Sequence, residues 1–285
     1  MSLLAPAKLN LYLHVVGRRA DGYHLIDSLV AFADIGDQLT ASPADRLSVA
    51  VSGPFAKDLA AIDPAQNLVW RAAERLAREL GRAPAAAIML EKNLPVASGI
   101  GGGSSDAAAA LRSLIALWHA TIGDRALAVL AAELGADVPV CLAGHGAFVG
   151  GIGEAIEQAP ALPRAPLVLA NPGKALATAD VFRARRGPYG KAARFDRAPK
   201  DPVELARLLA ARGNDLDGAA QTIVPEIGEV LAQLAACDGA LLARMSGSGA
   251  TCFALFADEG AAHAAAARMR AVNSTWWVAN ARLLS

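Results

Sequence analysis

The sequence has few of the residues that build disulfide-linked or metal-stabilised proteins. Its three cysteines, Cys141, Cys237 and Cys252, form no Cys-x-x-Cys pair, and its five histidines are scattered along the 285 residues. These counts argue against a disulfide framework and against a zinc site of the usual spacing. Buried free thiols in a reducing cytoplasm fit them better.

Long apolar runs, a targeting signal and a basic excess are missing as well. No apolar stretch reaches about 18 residues, the length that indicates a membrane-spanning helix. Lys8 and Asn10 interrupt the apolar start of the chain, which therefore resembles neither a signal peptide nor a transit peptide. Because 27 Lys and Arg balance 27 Asp and Glu, binding to nucleic acid or to a membrane is not expected. The sequence predicts a cytoplasmic protein that acts on small molecules, as a monomer or weak homodimer.

Three common nucleotide-binding signatures are absent, although one glycine-rich segment is prominent. No string matches the Walker A pattern, and the protein-kinase strings His-Arg-Asp and Asp-Phe-Gly do not occur. The run Gly99-Ile-Gly101-Gly-Gly-Ser104 ends in serine, where a dinucleotide fingerprint needs its last glycine. This departure disfavours a dehydrogenase.

The segment from Pro95 to Ser105 predicts an anion-binding loop. Glycine occupies four of the five positions 99–103, and an alanine-rich helix follows, for which Ser105 or Asp106 is the expected cap. Glycine lets backbone N–H groups converge, and a helix N-terminus adds free donors and a positive dipole end, so the expected ligand is a nucleotide phosphate. A flexible glycine turn is the alternative. The predicted phosphate-binding residues are Pro95, Val96, Ala97, Ser98, Gly99, Ile100, Gly101, Gly102, Gly103, Ser104 and Ser105.

The hydrophobic pattern predicts a mixture of strands and helices. Residues 7–16 alternate as in a half-buried strand, and Lys8 and Asn10 lie on its polar face. Helices are predicted over residues 67–80 and 124–134, each capped by the polar residue at its start. Strands and helices also mix in the second half of the chain, which is typical of an α+β domain.

Composition shifts indicate a division of the chain into two domains. Three prolines, Pro160, Pro163 and Pro166, mark a candidate boundary, and the predicted domains are residues 1–158 and 159–285. The charged stretch from Pro188 to Pro202 is predicted to be a loop.

Three motifs in a fixed order resemble those of the GHMP kinases, a superfamily of small-molecule kinases. They are Pro6-Ala-Lys-Leu-Asn10, the glycine-rich loop, and Met245-Ser-Gly-Ser-Gly-Ala250. The resemblance implies the α+β, two-domain GHMP kinase fold. Residues 1–158 would form a ribosomal-protein-like ATP-binding domain and residues 159–285 a ferredoxin-like substrate domain. The active site would lie in the cleft between them.

The N-terminal block narrows the resemblance to one branch of the superfamily. The string Gly17-Arg-Arg-Ala-Asp-Gly-Tyr-His-Leu-Ile-Asp27 is similar to that of kinases in the non-mevalonate isoprenoid pathway. These enzymes use ATP, with Mg²⁺ bound chiefly by its phosphates, to phosphorylate the 2-hydroxyl of a cytidine-diphosphate-linked methylerythritol. Mevalonate and homoserine kinases lack the Asp-Gly-Tyr-His string. Another kinase of the superfamily and a non-enzymatic nucleotide sensor on the same scaffold remain alternatives.

The resemblance implies that Lys8 and Asp137 are catalytic. Lys8 would stabilise the transferring phosphoryl group, and Asp137 would take the proton of the acceptor hydroxyl. Without the resemblance, Lys8 reads as an exposed strand lysine. Asp137 reads as a helix cap before Pro139.

The resemblance also implies a substrate site, whereas no side chain is predicted to bind a metal. Flat rings can sandwich a pyrimidine, and an imidazole can read its polar edge. A core phenylalanine is the alternative for the aromatic at position 182, and a tight hairpin turn for the third motif. The predicted substrate-binding residues are Asn10, Tyr23, His24, Phe182, Gly247, Ser248 and Gly249.

Overall fold

The computed structural model of the chain describes residues 1–59 and 63–284. Its strands are β1 Ser2–Arg18, β2 His24–Ser42, β3 Ser48–Ser52, β4 Ala87–Glu91, β5 Ala147–Gly151, β6 Ala155–Gln158, β7 Pro166–Asn171, β8 Ala240–Met245, β9 Cys252–Phe256 and β10 Trp277–Arg282. Its α-helices are α1 Ala56–Leu59, α2 Leu68–Glu79, α3 Gly102–Leu117, α4 Asp124–Leu134, α5 Val138–Ala143, α6 Thr178–Ala184, α7 Pro202–Ala210, α8 Asp217–Ile223, α9 Glu226–Ala235 and α10 Glu259–Val272. Each helix among these residues is too short or too polar to cross a membrane.

The chain forms two compact units, each built from three segments. The first unit comprises Met1–Ala7, Ile35–Val96 and Gly101–Gly144. The second unit comprises Lys8–Asp34, Ala97–Ile100 and His145–Ser285. The long strands β1 and β2 therefore contribute residues to both units. The predicted domain boundary at residue 158 stays a prediction.

In the first unit, helices pack together beside a small sheet. Strand β4 pairs in parallel with β3 and antiparallel with residues 38–42 of β2. Helix α2 begins as predicted, because the Asn67 side chain accepts a hydrogen bond of 2.9 Å from the Val69 N–H. The apolar stripe of α2, which includes Ala73 and Leu76, is buried in the core of this unit.

The second unit contains a four-stranded antiparallel sheet in the order β10-β7-β9-β8. Helices α9 and α10 pack against this sheet and close its apolar core. Elsewhere in the unit, residues 26–30 of β2 pair with β5, which in turn pairs with β6. The mixture of strands and helices is the one predicted for an α+β protein.

Two predictions about local structure are wrong. Strand β1 is not half-buried, because Lys8 and Asn10 on its polar face are only 3% and 4% exposed. Helix α3 already begins at Gly102, after a left-handed Gly101 with φ of 64°, so neither Ser105 nor Asp106 caps it.

The cap of α4 also differs from the prediction. The residue at its N-cap is Gly123, and Asp124 is the first residue of the helix. An acidic side chain in the first turn still interacts favourably with the helix dipole. The sequence pattern does not predict β6, α1 or α8, which are short elements of four to seven residues.

Candidate active site

The glycine-rich loop uses glycine where other residues would be strained. Gly99 and Gly101 have φ values of 78° and 64°, in the left-handed region that favours glycine. Helix α3 follows directly, so the free N–H groups of its first turn lie next to the loop in sequence. The loop therefore has the backbone features that a phosphate-binding segment needs.

The turn of the third motif contacts the glycine-rich loop. The Ser246 hydroxyl donates to the Gly99 carbonyl at 3.0 Å, and the Thr251 N–H donates to the Ser98 carbonyl at 3.0 Å. A Cβ atom at Gly99 would lie 2.6 Å from the carbonyl oxygens of Ser246 and Gly249. Glycine is required here because the two backbones approach too closely for any side chain.

Lys8 is held beside the same loop. Its backbone N–H donates to the Ile100 carbonyl at 2.9 Å, and its ammonium group donates to Asn10 Oδ1 at 2.8 Å. Asn10 is oriented in turn, because its Nδ2 donates to Ser28 Oγ at 2.8 Å. The interpretation of Lys8 as an exposed strand lysine is wrong, since the residue is 3% exposed. A buried ammonium with a fixed orientation suits a role in stabilising negative charge.

The next polar residues of β1 have structural partners. The Tyr12 hydroxyl donates to Asp27 Oδ2 at 2.9 Å, and burial together with Asp27 raises the Tyr12 pKa. Asp27 also accepts a hydrogen bond of 2.9 Å from Arg194 Nε. His14 Nδ1 lies 3.3 Å from Asp215 Oδ1. These contacts hold the strand in place.

Asp137 lies at the start of α5, as the sequence indicates. It occupies the N-cap position, yet its side chain makes no capping hydrogen bond. The predicted N-cap position of Asp137 is confirmed, but its side chain does not accept the hydrogen bond that a capping aspartate ordinarily accepts. The residue is partly exposed.

Ser105, the last residue of the predicted phosphate-binding set, is buried in the first unit. Its hydroxyl donates to the Pro6 carbonyl at 2.7 Å and lies 3.4 Å from Cys141 Sγ. The hydroxyl thus links α3 to the N-terminal strand.

Two of the predicted pyrimidine-binding residues are brought together. The rings of His24 and Phe182 stack, with centroids 5.2 Å apart and an angle of 24° between their planes. Burial lowers the pKa of His24, and Arg18 and Arg185 lower it further. Tyr23 is 62% exposed.

Phe182 has a structural role as well, because it packs against the core of the second unit. Near it in sequence, Thr178 and Ser248 share a hydrogen bond of 2.9 Å between their hydroxyl groups. The sequence does not predict Ser28 as a partner of Asn10, because no motif marks it and only the folded chain brings the two side chains together.

Family models match both parts of the chain. The GHMP kinases N terminal domain matches residues 67–145, and the GHMP kinases C terminal domain matches residues 192–275. The chain belongs to the GHMP kinases, and the predicted fold class is confirmed.

Relatives that match the chain over its full length indicate one branch of the GHMP kinases. The 4-diphosphocytidyl-2-C-methyl-D-erythritol kinase of Paramagnetospirillum magneticum is 54% identical over 284 residues, which cover 100% of this chain and 99% of the relative. The protein of the same name from Parvibaculum lavamentivorans is 54% identical over 277 residues, covering 96% and 95%. A crystal structure of 4-(cytidine 5'-diphospho)-2C-methyl-D-erythritol kinase has a TM-score of 0.82 at 36% identity, covering 100% of both chains. The narrower resemblance of the N-terminal block is confirmed.

Proposed function

We propose that the chain transfers the γ-phosphoryl group of ATP to the 2-hydroxyl of 4-diphosphocytidyl-2-C-methyl-D-erythritol. The names of full-length relatives at 54% identity support this substrate. The fixed position of Lys8 supports the chemistry most directly. Its buried ammonium group is oriented by a hydrogen bond to Asn10, and its backbone N–H donates a hydrogen bond to Ile100 of the glycine-rich loop. The enzyme works in the cytoplasm, as a monomer or weak homodimer.

The reaction is a direct transfer without a phosphoenzyme. The Asp137 carboxylate accepts the proton of the acceptor hydroxyl while the hydroxyl oxygen bonds to the γ-phosphorus. The bond from the γ-phosphorus to its bridging oxygen breaks, and ADP leaves. The Lys8 ammonium stabilises the negative charge on the transferring group. Mg²⁺ would be held chiefly by the ATP phosphates, where it would neutralise part of their negative charge.

Two groups of residues bind the remaining parts of the substrates. The loop from Pro95 to Ser105 binds the ATP phosphates through backbone N–H groups. Tyr23 and the stacked pair of His24 and Phe182 bind the cytidine ring, because an aromatic pair offers a flat apolar surface to a base. Asn10 and the Gly247–Gly249 turn bind the hydroxyl-bearing acceptor.

An acceptor panel tests this function. Coupled ADP release is measured with the cytidylyl methylerythritol, mevalonate and homoserine, and the product is located by ³¹P NMR. We expect ADP to be released with the cytidylyl substrate and with neither of the other two acceptors. The product should carry a new phosphate ester at its 2-position. Preference for another acceptor would indicate a different kinase of the superfamily. ATP binding without any product would indicate a nucleotide sensor.

A further inference from the structure

A buried ionic cluster lies in the first unit and has no part in the reaction described above. Its members are Asp37 of β2, Lys92 directly after β4, and Asp106 of α3, and they are between 0% and 3% exposed. The Lys92 ammonium donates to Asp106 Oδ2 at 2.8 Å and also bonds to Asp37 Oδ2. Buried ion pairs add little net stability compared with apolar packing, so their presence calls for another explanation.

The cluster joins the two ends of the glycine-rich loop. On the entry side, Asp37 Oδ1 accepts hydrogen bonds from the backbone N–H groups of Asn93 and Leu94, at 2.6 and 2.9 Å. These two residues directly precede Pro95. On the exit side, Asp106 directly follows Ser105, the last residue of the loop segment, and belongs to the first two turns of α3. Lys92 therefore connects the entry of the loop to its exit.

The first residue of α3 lies beside the cluster, with little room for a side chain. A Cβ atom at Gly102 would lie 3.3 Å from the Lys92 ammonium nitrogen and 3.6 Å from Asp37 Oδ2. A side chain larger than that of glycine at position 102 would crowd the Lys92 ammonium group, so the helix start is closely adjacent to the charged groups.

We infer that Asp37, Lys92 and Asp106 are positioning residues that set the spacing of the two ends of the glycine-rich loop. Their effect on catalysis would act through the loop and not through contact with the reacting atoms. This inference rests on the proposed role of the loop in binding the ATP phosphates.

The charges of the cluster show which feature of Asp106 matters. Two carboxylates face one ammonium group, and burial raises the pKa of Asp106 to about 7, with Lys92 acting against the shift and Asp37 adding to it. Asp106 Oδ1 is buried and accepts no hydrogen bond from the described residues. We therefore expect a neutral side chain to be tolerated at position 106, provided that it still offers an oxygen acceptor to Lys92.

Two substitutions at one position test the inference. Asp106→Ala removes the acceptor, whereas Asp106→Asn keeps an amide oxygen in its place. Lys92→Met would leave two carboxylates buried together and can prevent folding, so it is not used. Glu133→Ala is the matched control, because it breaks the exposed ion pair with Arg75 in the same unit.

Hydrogen exchange and kinetics are measured on all the variants. In Asp106→Ala we expect faster amide exchange in residues 95–105, no comparable change in α2, and a KM for ATP raised about tenfold with a smaller change in kcat. Asp106→Asn and Glu133→Ala should stay within about twofold of the wild type.

Three results would overturn the inference. The first is an unchanged rate of amide exchange in the loop of Asp106→Ala. The second is an equal effect of Asp106→Ala and Asp106→Asn on exchange and on the KM for ATP. The third is an increase of exchange in α2 that is as large as the increase in the loop. If the wild type turns over no ATP, the proposed function fails. A loop-restricted increase in exchange would still support the positioning cluster in that case.

Discussion

At the scale of single residues, hydrogen bonds decide which polar side chains of the N-terminal strand are buried. Lys8 and Asn10 alternate with apolar residues, a pattern that ordinarily places them in water. In the folded chain their polar atoms bond to each other and to Ser28, which offsets the loss of hydration. A sequence pattern reports the period of a strand, but it does not report whether a polar face has partners.

Removal of the Tyr23 ring should weaken binding of one substrate only. The ring is 62% exposed, so Tyr23→Ala leaves the core intact. Because loss of one stacked aromatic weakens base binding substantially, we expect the KM for the cytidylyl substrate to rise roughly tenfold while the KM for ATP hardly changes. Steady-state kinetics with each substrate varied in turn will measure both. A raised KM for ATP alone would show that Tyr23 belongs to the ATP site and that the cytidine site has been assigned to the wrong residues.

The protonation of His24 gives a second prediction at this scale. Burial lowers the pKa of His24, and the positive charges of Arg18 and Arg185 lower it further. The imidazole therefore becomes protonated only at pH values below its ordinary pKa of about 6.5. Protonation would add a third positive charge beside the two guanidinium groups and would disturb the stacked pair. The KM for the cytidylyl substrate should therefore stay constant down to about pH 6.5 and rise only below it. A rise that begins above pH 6.5, and that His24→Phe abolishes, would contradict this account.

At the scale of elements, capping residues and apolar periods predict most of the helices and strands. The Asn67 cap of α2 is found as predicted, and the helices predicted over residues 67–80 and 124–134 correspond to α2 and α4. The predicted start of α3 at Ser105 or Asp106 is wrong, because a left-handed Gly101 precedes the helix and no side chain caps it. Short elements such as β6 have too few residues to establish a period.

The contact between the two glycine motifs gives a prediction at the same scale. Gly99→Ala places a methyl group 2.6 Å from two backbone oxygens and also adopts a positive φ. Gly81→Ala is the matched control, because Gly81 has a positive φ of 62° and nothing within 4 Å of its added Cβ. The control should lose about 1–2 kcal/mol of unfolding free energy, from backbone strain alone.

The loss in Gly99→Ala should be larger than in the control, and it should be accompanied by a raised KM for ATP, because the loop must shift. Urea unfolding and steady-state kinetics will measure the two effects. Equal losses of stability in the two variants, with an unchanged KM for ATP, would show that the close approach of the motifs has no influence on the loop.

At the scale of the whole molecule, the order of the motifs was more informative than composition. Neutral charge and abundant alanine indicate only a globular protein. The three motifs predicted the family, which the matches over residues 67–145 and 192–275 confirm. The long-range contacts could not be predicted in this way. Asp37, Lys92 and Asp106 lie apart in the sequence but form one cluster in the folded chain. None of them lies within the three motifs, although Asp106 directly follows the glycine-rich loop.

The most direct test of the account is a kinetic double-mutant cycle on Lys8 and Asp137. Lys8→Met and Asp137→Asn should each lower the rate of phosphoryl transfer roughly 10²-fold or more, with ATP binding nearly unchanged. The exposed pair of Lys174 and Glu226, changed to Met and Gln, is the matched control and should have no effect.

Single-turnover transfer from ATP to the cytidylyl methylerythritol is the rate to be measured in the cycle. Groups that act together in one step lose their benefit together, so the double variant should be no slower than the slower single variant. Losses that multiply in the double variant, or a full rate in either single variant, would contradict the account.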